Sequence, residues 1–132
     1  MNSALSPRPL RVFIVENHPD TLQSFIFYLE SEGHSVSSAS NLEEALKTIP
    51  TSGCDVIFSD IGLPDGTGWD LLALLKTSRP VFAVAMSGFG QNADRHKSLA
   101  AGFRHHLIKP VTPDTIDEIL REVEKESAAC SG

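Results

Sequence analysis

The segment DVIFSDIGLPDGTGWDLLALL, residues 55–75, decides the fold class of this chain. It opens with the apolar run Asp55–Ser59, whose branched residues predict a buried strand. The following loop, Asp60–Gly68, is rich in proline, aspartate and glycine, which are typical turn residues. The apolar residues from Trp69 onward fall on one broad helix face. The segment therefore predicts a strand, a loop and a helix, with an aspartate directly at the end of the strand.

The same order of strand and then helix recurs on both sides of this segment. Four further runs predict strands, and apolar residues at helical spacing follow each of them. The second run is rich in serine and suits only the edge of a sheet. Strict alternation implies an α/β, doubly wound fold, with a parallel sheet, right-handed crossovers and helices on both faces. The predicted strands are Leu10–Val15, Ser35–Ala39, Asp55–Ser59, Val81–Met86 and Phe103–Ile108.

Capping residues predict where several of the helices begin and end. Pro19 suits the first position of the first helix. Ser40 and Glu43 have the spacing of a capping box at the start of the second helix, and Pro50 is expected to stop that helix. Thr112 is expected to cap the last helix, with a proline at its first position.

Length and charge limit the class of protein. The 132 residues are enough for one domain with its own core. With 17 acidic and 11 basic residues, the net charge of −6 argues against direct contact with nucleic acid or an anionic membrane. No apolar run approaches the roughly 20 residues of a membrane helix, and two cysteines indicate neither a disulfide framework nor a zinc site. We expect a cytoplasmic protein without membrane insertion, with one domain over residues 10–126 and flexible tails at residues 1–9 and 127–132.

Charged and polar side chains directly follow four of the predicted strands. Parallel strands of an open sheet end at one edge, where such folds bind ligands, so we expect these side chains to converge. Carboxylate oxygens suit a hard cation such as Mg²⁺, and a lysine suits a phosphoryl oxygen. An aspartate held beside both can act as a nucleophile, which indicates phosphoryl transfer. In chain order the residues are Glu16 and Asn17, Asp60, Ser87, and Lys109.

Four segments around these residues resemble the receiver domain of two-component response regulators. They are VFIVENHPD, DVIFSDIGLPDGTG, AVAMSG and AAGFRHHLIKPV, at residues 12–20, 55–68, 83–88 and 100–111. The resemblance extends over residues 10–126 and implies a flavodoxin-like (βα)5 fold with the strand order 2-1-3-4-5. Within the family, the sequence around residues 19–20 and 105–111 is most similar to that of receivers attached to hybrid histidine kinases.

The resemblance implies a role for each residue at the strand ends. Asp60 matches the phosphoacceptor of the family. Lys109 matches the lysine that pairs with the phosphoryl oxygens, and its bond to Pro110 is usually cis in the family. The implied cofactor is Mg²⁺ or Mn²⁺. The implied metal ligands are Glu16, Asn17, Asp60 and the backbone carbonyl of Gly62.

Ser87 and His106 match the switch residues of the family, a hydroxyl that binds the phosphoryl group and an aromatic ring that moves inward with it. Two residues depart from the family pattern. Asn17 stands where the family has a second acid, which lowers the expected metal affinity. His106 stands where the family has Tyr or Phe, and its side chain is polar. In the plain structural alternatives, Asn17 caps the first helix and His106 is a polar residue of an edge strand.

The resemblance implies a function in a phosphorelay. A histidine kinase or a histidine phosphotransfer domain would donate a phosphoryl group from a phosphohistidine to Asp60, and the phosphorylated form would switch a partner surface. Transfer and slow hydrolysis would be self-catalysed, and histidine kinase activity would require that the chain is a piece of a hybrid kinase. The implied partner face, which would also form a homodimer, comprises the fourth helix, Gln91–Ala101, with the fifth strand and helix, Phe103–Glu126.

Two other functions stay open at this point. Asn17 in place of an acid suggests a pseudo-receiver, that is, a protein-interaction module with weak or no phosphorylation. The doubly wound topology also suits a small flavin-binding domain or a hydrolase, since one fold hosts many functions. Against the last class, no glycine-rich phosphate loop follows the first strand, where residues 16–20 stand instead.

Overall fold

A parallel sheet of five strands forms the centre of the structure. The computed structural model describes residues 9–75, 81–88 and 92–131. The main strands are β1 (Arg11–Val15), β2 (Ser35–Ala39), β3 (Val56–Asp60), β6 (Phe82–Ser87) and β7 (His105–Ile108), and β4 (Gly62–Leu63) pairs with β5 (Gly66–Thr67) in a small hairpin. The helices are α1 (Pro19–Ser31), α2 (Leu42–Ser52), α3 (Gly68–Leu74), α4 (Asn92–Ala101) and α5 (Pro113–Ser131).

The strand order of the main sheet is β2-β1-β3-β6-β7, and every pair is parallel. When only these five strands are numbered along the chain, the order reads 2-1-3-4-5. The predicted doubly wound fold and its strand order are therefore confirmed.

Apolar side chains cover the sheet on both faces. Every residue of β3 and β6 is buried, as expected for parallel strands with helices on both sides. Alternate residues of β1 point to opposite faces. Val12 and Ile14 join a core with α1 and α5, whereas Phe13 and Val15 join a second core with α2 and α3. Burial of each such side chain stabilises the folded state by roughly 1.5–3 kcal/mol. The two cores therefore hold the strands in place and fix where they end.

The two edge strands are the least apolar ones. The serine-rich β2 lies at one edge, as predicted, and three of its five residues are exposed. At the opposite edge, β7 begins at His105, two residues later than predicted. An edge strand pairs on one side only, so polar side chains there cost little.

The predicted limits of α2 are wrong at both ends. Asn41, and not Ser40, is the N-cap, since its side chain accepts a hydrogen bond from the amide of Glu44. The helix continues through Pro50 to Ser52 and ends at Gly53, whose φ of 66° favours glycine. Pro50 lies in the last turn, where its missing N–H costs a single helical hydrogen bond. The Ser52 hydroxyl donates to the carbonyl of Ile49, which supports that turn.

Helix α5 runs past the predicted domain end at residue 126 and continues to Ser131. Residues 127–131 contain alanines but neither proline nor glycine, so no residue there stops the helix. The assignment of the two tails and the domain limits stay predictions, and residues 1–8 and 132 lie outside the described residues. Over the described ranges, no helix combines the length and the apolar character that a bilayer crossing requires.

Candidate functional site

The predicted site residues lie at one edge of the sheet, where the parallel strands end. Glu16 directly follows β1, and Asp60 is the last residue of β3. The register pairs Asp60 with Met86 of β6, and Ser87 with Ile108 of β7. Neighbouring strands therefore end nearly level with one another, and residues that are far apart in sequence meet in space.

Lys109 joins the two carboxylates of the site. Its Nζ lies 2.7 Å from Oε1 of Glu16 and donates to Oδ2 of Asp60 at 3.0 Å. The Glu16 side chain is fully buried, and those of Asp60 and Lys109 are 10% and 21% exposed. The backbone amide of Lys109 donates to the carbonyl of Ser87, and the bond from Lys109 to Pro110 is cis. Two negative charges and one positive charge thus share a nearly dry site.

Burial and pairing act in opposite directions on the three charges. Burial raises the pKa of Asp60, the Glu16 charge adds to this effect, and the bond to Lys109 opposes it. For Glu16, burial is outweighed by Lys109 and by the amide of His18, so its pKa lies below the ordinary value. Burial would lower the pKa of Lys109, but the two carboxylates raise it. Lys109 therefore stays charged at neutral pH, while Asp60 is the more basic of the two carboxylates.

The loop after Asp60 is held against the rest of the domain. Gly68 packs against the end of β3, and a Cβ atom there would lie 2.7 Å from the carbonyl oxygen of Asp60. Its amide donates to the carbonyl of Ile61. At the tip of the hairpin, the carboxylate of Asp65 accepts hydrogen bonds from the backbone amides of Leu42 and Glu43 at 2.7 and 3.0 Å. Asp65 thereby caps the start of α2 although it lies outside that helix. These contacts fix the path of the loop that carries Gly62.

The donor set at this edge fits a hard cation. Carboxylate oxygens of Glu16 and Asp60 and a ring nitrogen of His18 all lie within 4.8 Å of one another. Oε1 of Glu16 is buried and lies 2.7 Å from the Lys109 ammonium, with which it forms an ion pair. With two carboxylates and one ammonium, the site has a net negative charge and the oxygen ligands that a divalent cation prefers. Asn17 and Gly62, the other two predicted metal ligands, are exposed.

His18 is a residue of the site that the sequence reasoning missed. Its amide and its Nδ1 lie 3.1 and 3.2 Å from Oε2 of Glu16. His18 is also the N-cap residue of α1, so the alternative in which Asn17 caps that helix is wrong. The sequence signal that could have identified His18 was its position two residues after Glu16, because both residues closely follow the end of β1.

The side chain of Ser87 contacts His106. Its Oγ lies 2.9 Å from Nε2 of His106, and Nδ1 of that ring lies 2.7 Å from Oγ of Ser98 in α4. The indole Nε1 of Trp69 in α3 donates to the same Ser98 oxygen at 2.9 Å. His106 is buried although it belongs to an edge strand, so it is not an ordinary exposed edge residue. Ser98 and Trp69 were not predicted as site residues, since no sequence pattern connects a helical serine with a distant strand.

Comparison with known proteins identifies the family. The family model of the response regulator receiver domain matches residues 12–121. The chain belongs to the response regulator receiver family. Among curated relatives, this receiver domain is 30% identical over 117 residues to an uncharacterized 14.6 kDa protein of Leptolyngbya boryana, covering 86% of this chain and 87% of that protein. It is 27% identical over 120 residues to the transcriptional regulatory protein KdpE of Mycobacterium tuberculosis, covering 91% of this chain and 53% of KdpE.

Solved structures agree with this membership. A CheY-like receiver domain protein from Methanospirillum hungatei is 32% identical, with a TM-score of 0.80 over 90% of this chain and 99% of that one. The receiver domain of Ssk1 from Saccharomyces cerevisiae, crystallised with the histidine phosphotransfer protein Ypd1, has a TM-score of 0.83 at 23% identity and covers 94% of both chains. The second likeness shows the fold alone. The receiver domain spans only about half of KdpE, so the activity of a longer protein does not follow from the match.

Proposed function

We propose that this receiver domain accepts a phosphoryl group on Asp60 from a phosphohistidine and thereby switches a partner surface. The observation that carries the proposal is the contact of Lys109 with both Asp60 and Glu16 at the end of the sheet. A buried nucleophile, a fixed cation and a second carboxylate are the groups that phosphoryl transfer requires.

The transfer reaction follows from the arrangement of the three charges. Oδ1 of Asp60 is the oxygen that does not bind Lys109, and it attacks the phosphorus atom. The new O–P bond forms as the P–N bond to the donor imidazole breaks, and the imidazole leaves with the electron pair of that bond. Lys109 then shares its charge with the phosphoryl oxygens. Burial keeps the Asp60 carboxylate basic, which favours the attack, while Lys109 keeps it ionised.

The proposed cofactor is Mg²⁺ or Mn²⁺. Glu16, Asn17, Asp60 and the backbone carbonyl of Gly62 would hold it, and His18 is hydrogen-bonded to Glu16. When bound, the ion neutralises charge on the phosphoryl oxygens. Because Asn17 supplies no charge, most of the affinity would come from the two carboxylates.

Ser87 and His106 are the proposed switch residues. The Ser87 hydroxyl would bind a phosphoryl oxygen, and its bond to His106 transmits that change to β7. The change is a shift between two populated states, driven by the preference of the phosphoryl group for one of them. The ring acts here through a hydrogen bond, whereas Tyr or Phe at this position offers no comparable ring nitrogen.

The other two functions receive no support. A module that only binds proteins does not need Glu16, Asp60 and Lys109 in contact, so the site does not favour a pseudo-receiver. Because the chain belongs to the receiver family, the flavin-binding and hydrolase alternatives are set aside.

The proposed donor is a histidine kinase or a histidine phosphotransfer protein. The Ssk1 receiver, which has the same fold, crystallised with such a phosphotransfer protein. Two features of this chain support docking near α1, namely the side chain of Phe27, which is 77% exposed, and a cavity of about 540 Å³ that opens beside Lys109 between α1 and α5. Attachment to a hybrid kinase, the cytoplasmic location and the absence of nucleic-acid contact stay predictions.

The proposed output face comprises α4, β7 and α5. Leu99 and Ile108 on this face are about half exposed, and neighbouring Arg104 pairs with Glu122 and Glu126 within the chain. Residues 114–126 of α5 hold six acids and two bases, so this helix is acidic. Apolar side chains within a charged surface suit a protein partner, which includes a second copy of this chain.

Phosphorylation on Asp60 is tested directly by intact mass. The chain is incubated with acetyl phosphate and MgCl₂, and wild type should gain one phosphoryl group. Asp60→Asn should gain none, whereas Asp114→Asn, at an exposed position of α5, should behave as wild type. A wild-type chain that gains no mass would contradict the proposal. If Asn17→Asp then gained the group, the pseudo-receiver would be the correct function.

A further inference from the structure

A chain of three hydrogen bonds connects the phosphorylation site with the surface of α3 and α4. It runs from Ser87 to His106, from His106 to Ser98, and from Ser98 to Trp69, with distances of 2.9, 2.7 and 2.9 Å. Ser98 is fully buried, and Ser87 and His106 are 8% exposed. These three hydrogen bonds are therefore almost entirely shielded from water, and in such a place each polar hydrogen needs an acceptor.

The direction of these bonds can be assigned by accounting for each proton. An indole N–H can only donate, so Ser98 Oγ accepts from Trp69. Among the described residues, the other partner of Ser98 Oγ is Nδ1 of His106, which is therefore the acceptor for the Ser98 proton. An Nδ1 that accepts carries no proton, so in the neutral ring the proton sits on Nε2 and is donated to Ser87.

The opposite tautomer would leave one buried group without a partner. With a proton on Nδ1, the ring would donate to Ser98, and the buried Ser98 hydroxyl hydrogen would lose its acceptor. Such a loss corresponds to a population ratio of about tenfold or more against that tautomer. Nε2 would then face the Ser87 hydroxyl as an acceptor and would compete with a phosphoryl oxygen for the Ser87 proton.

We propose that Ser98 is a positioning residue that holds His106 in the Nε2–H tautomer, so that Ser87 meets the ring as an acceptor and offers its proton to the phosphoryl group. The proposal rests on the proposed phosphorylation of Asp60. Trp69 supports it by occupying a lone pair of Ser98, and Lys97 lies over the Trp69 ring at 4.3 Å on the outer side. The surface formed by α3 and α4 is thereby joined to Ser87 by directed hydrogen bonds.

The first test measures the tautomer in the unphosphorylated chain. Nitrogen-15 spectra of the imidazole, recorded at alkaline pH, distinguish a protonated ring nitrogen from an unprotonated one. In wild type, Nδ1 should be unprotonated and Nε2 protonated. Ser98→Ala should lose this preference, whereas Trp69→Phe should keep it, because Ser98 still donates to Nδ1. Ser38→Ala, an exposed serine of β2, is the matched control. A protonated Nδ1 in wild type would overturn the proposal, even if Ser98→Ala does not fold.

The second test measures the rate of phosphorylation with acetyl phosphate and MgCl₂. Because one oriented hydrogen bond at Ser87 is lost, the phosphorylation rate of Ser98→Ala should be about fivefold lower than that of wild type. Ser98→Thr, which keeps the hydroxyl group, should restore most of the rate. Equal rates and equal tautomers in wild type and Ser98→Ala would overturn the proposal. If the wild-type chain gains no phosphoryl group at all, the proposed function fails, while the tautomer of wild type still decides the role of Ser98.

Discussion

Replacing Lys109 with methionine tests how the site is held together. Methionine keeps much of the apolar length of lysine but removes the charge. The ammonium lies 2.7 Å from Glu16 and 3.0 Å from Asp60. At an effective dielectric constant of about 20, these contacts correspond to attractions of about 6 and about 5.5 kcal/mol. Most of this is offset by the cost of taking three charges out of water.

The net loss of unfolding free energy in Lys109→Met depends on the two carboxylates that remain buried. Removing one partner of a buried ion pair costs about 3–5 kcal/mol, because an uncompensated charge stays buried. We expect about 3 kcal/mol, since the Lys109 side chain is still 21% exposed. For a domain of this size, that loss lowers the thermal midpoint by about 10 °C. Lys47→Met, at an exposed position of α2, should change the midpoint little.

Magnesium should reverse part of this loss. Without Lys109, Glu16 and Asp60 form a site of charge −2 with no competing cation, so Mg²⁺ should bind more tightly than in wild type. Urea unfolding is measured in EDTA and in excess MgCl₂ for wild type, Lys109→Met and Lys47→Met. Binding to the folded state raises stability by linkage, and the gain should be largest in Lys109→Met. If Lys109→Met is as stable as wild type in EDTA, or gains no more from Mg²⁺, the electrostatic account of the site is wrong.

Two further predictions concern the loop behind the phosphoacceptor and a buried histidine. Gly68→Ala should lower the stability by about 1–3 kcal/mol in urea unfolding, because its Cβ atom would lie 2.7 Å from the Asp60 carbonyl oxygen, whereas Gly62→Ala has open space and should be neutral. Equal stability of the two variants would refute this account of the loop. Burial lowers the pKa of His34 below its ordinary 6.5, so the unfolded chain binds the proton more readily and stability falls as the pH drops below about 6.5. His34→Asn should remove this part of the pH dependence of the unfolding free energy, and His96→Asn, at an exposed position, should leave it in place.

The agreement between sequence and structure is closest where the signal is periodic. The apolar runs around residues 56–60 and 82–87 were recognisable because both faces of those strands are buried, so most residues in them are apolar. The helix limits were less accurate. Ser40 and Asn41 are both good caps, and Pro50 stops a helix only when the turn cannot tolerate one missing hydrogen bond.

The sequence by itself determined the alternation of strands and helices, and with it the edge at which Glu16, Asp60, Ser87 and Lys109 meet. Each of these residues directly follows or ends a strand, and parallel strands end together, so a local pattern was sufficient. The tertiary structure alone decided which of them touch. Lys109 bridges the two carboxylates, whereas Ser87 pairs with His106 and, through Ser98, reaches Trp69. Those contacts join residues 8 to 93 positions apart on different elements, and side chains at such separations are brought together only by packing of the whole domain.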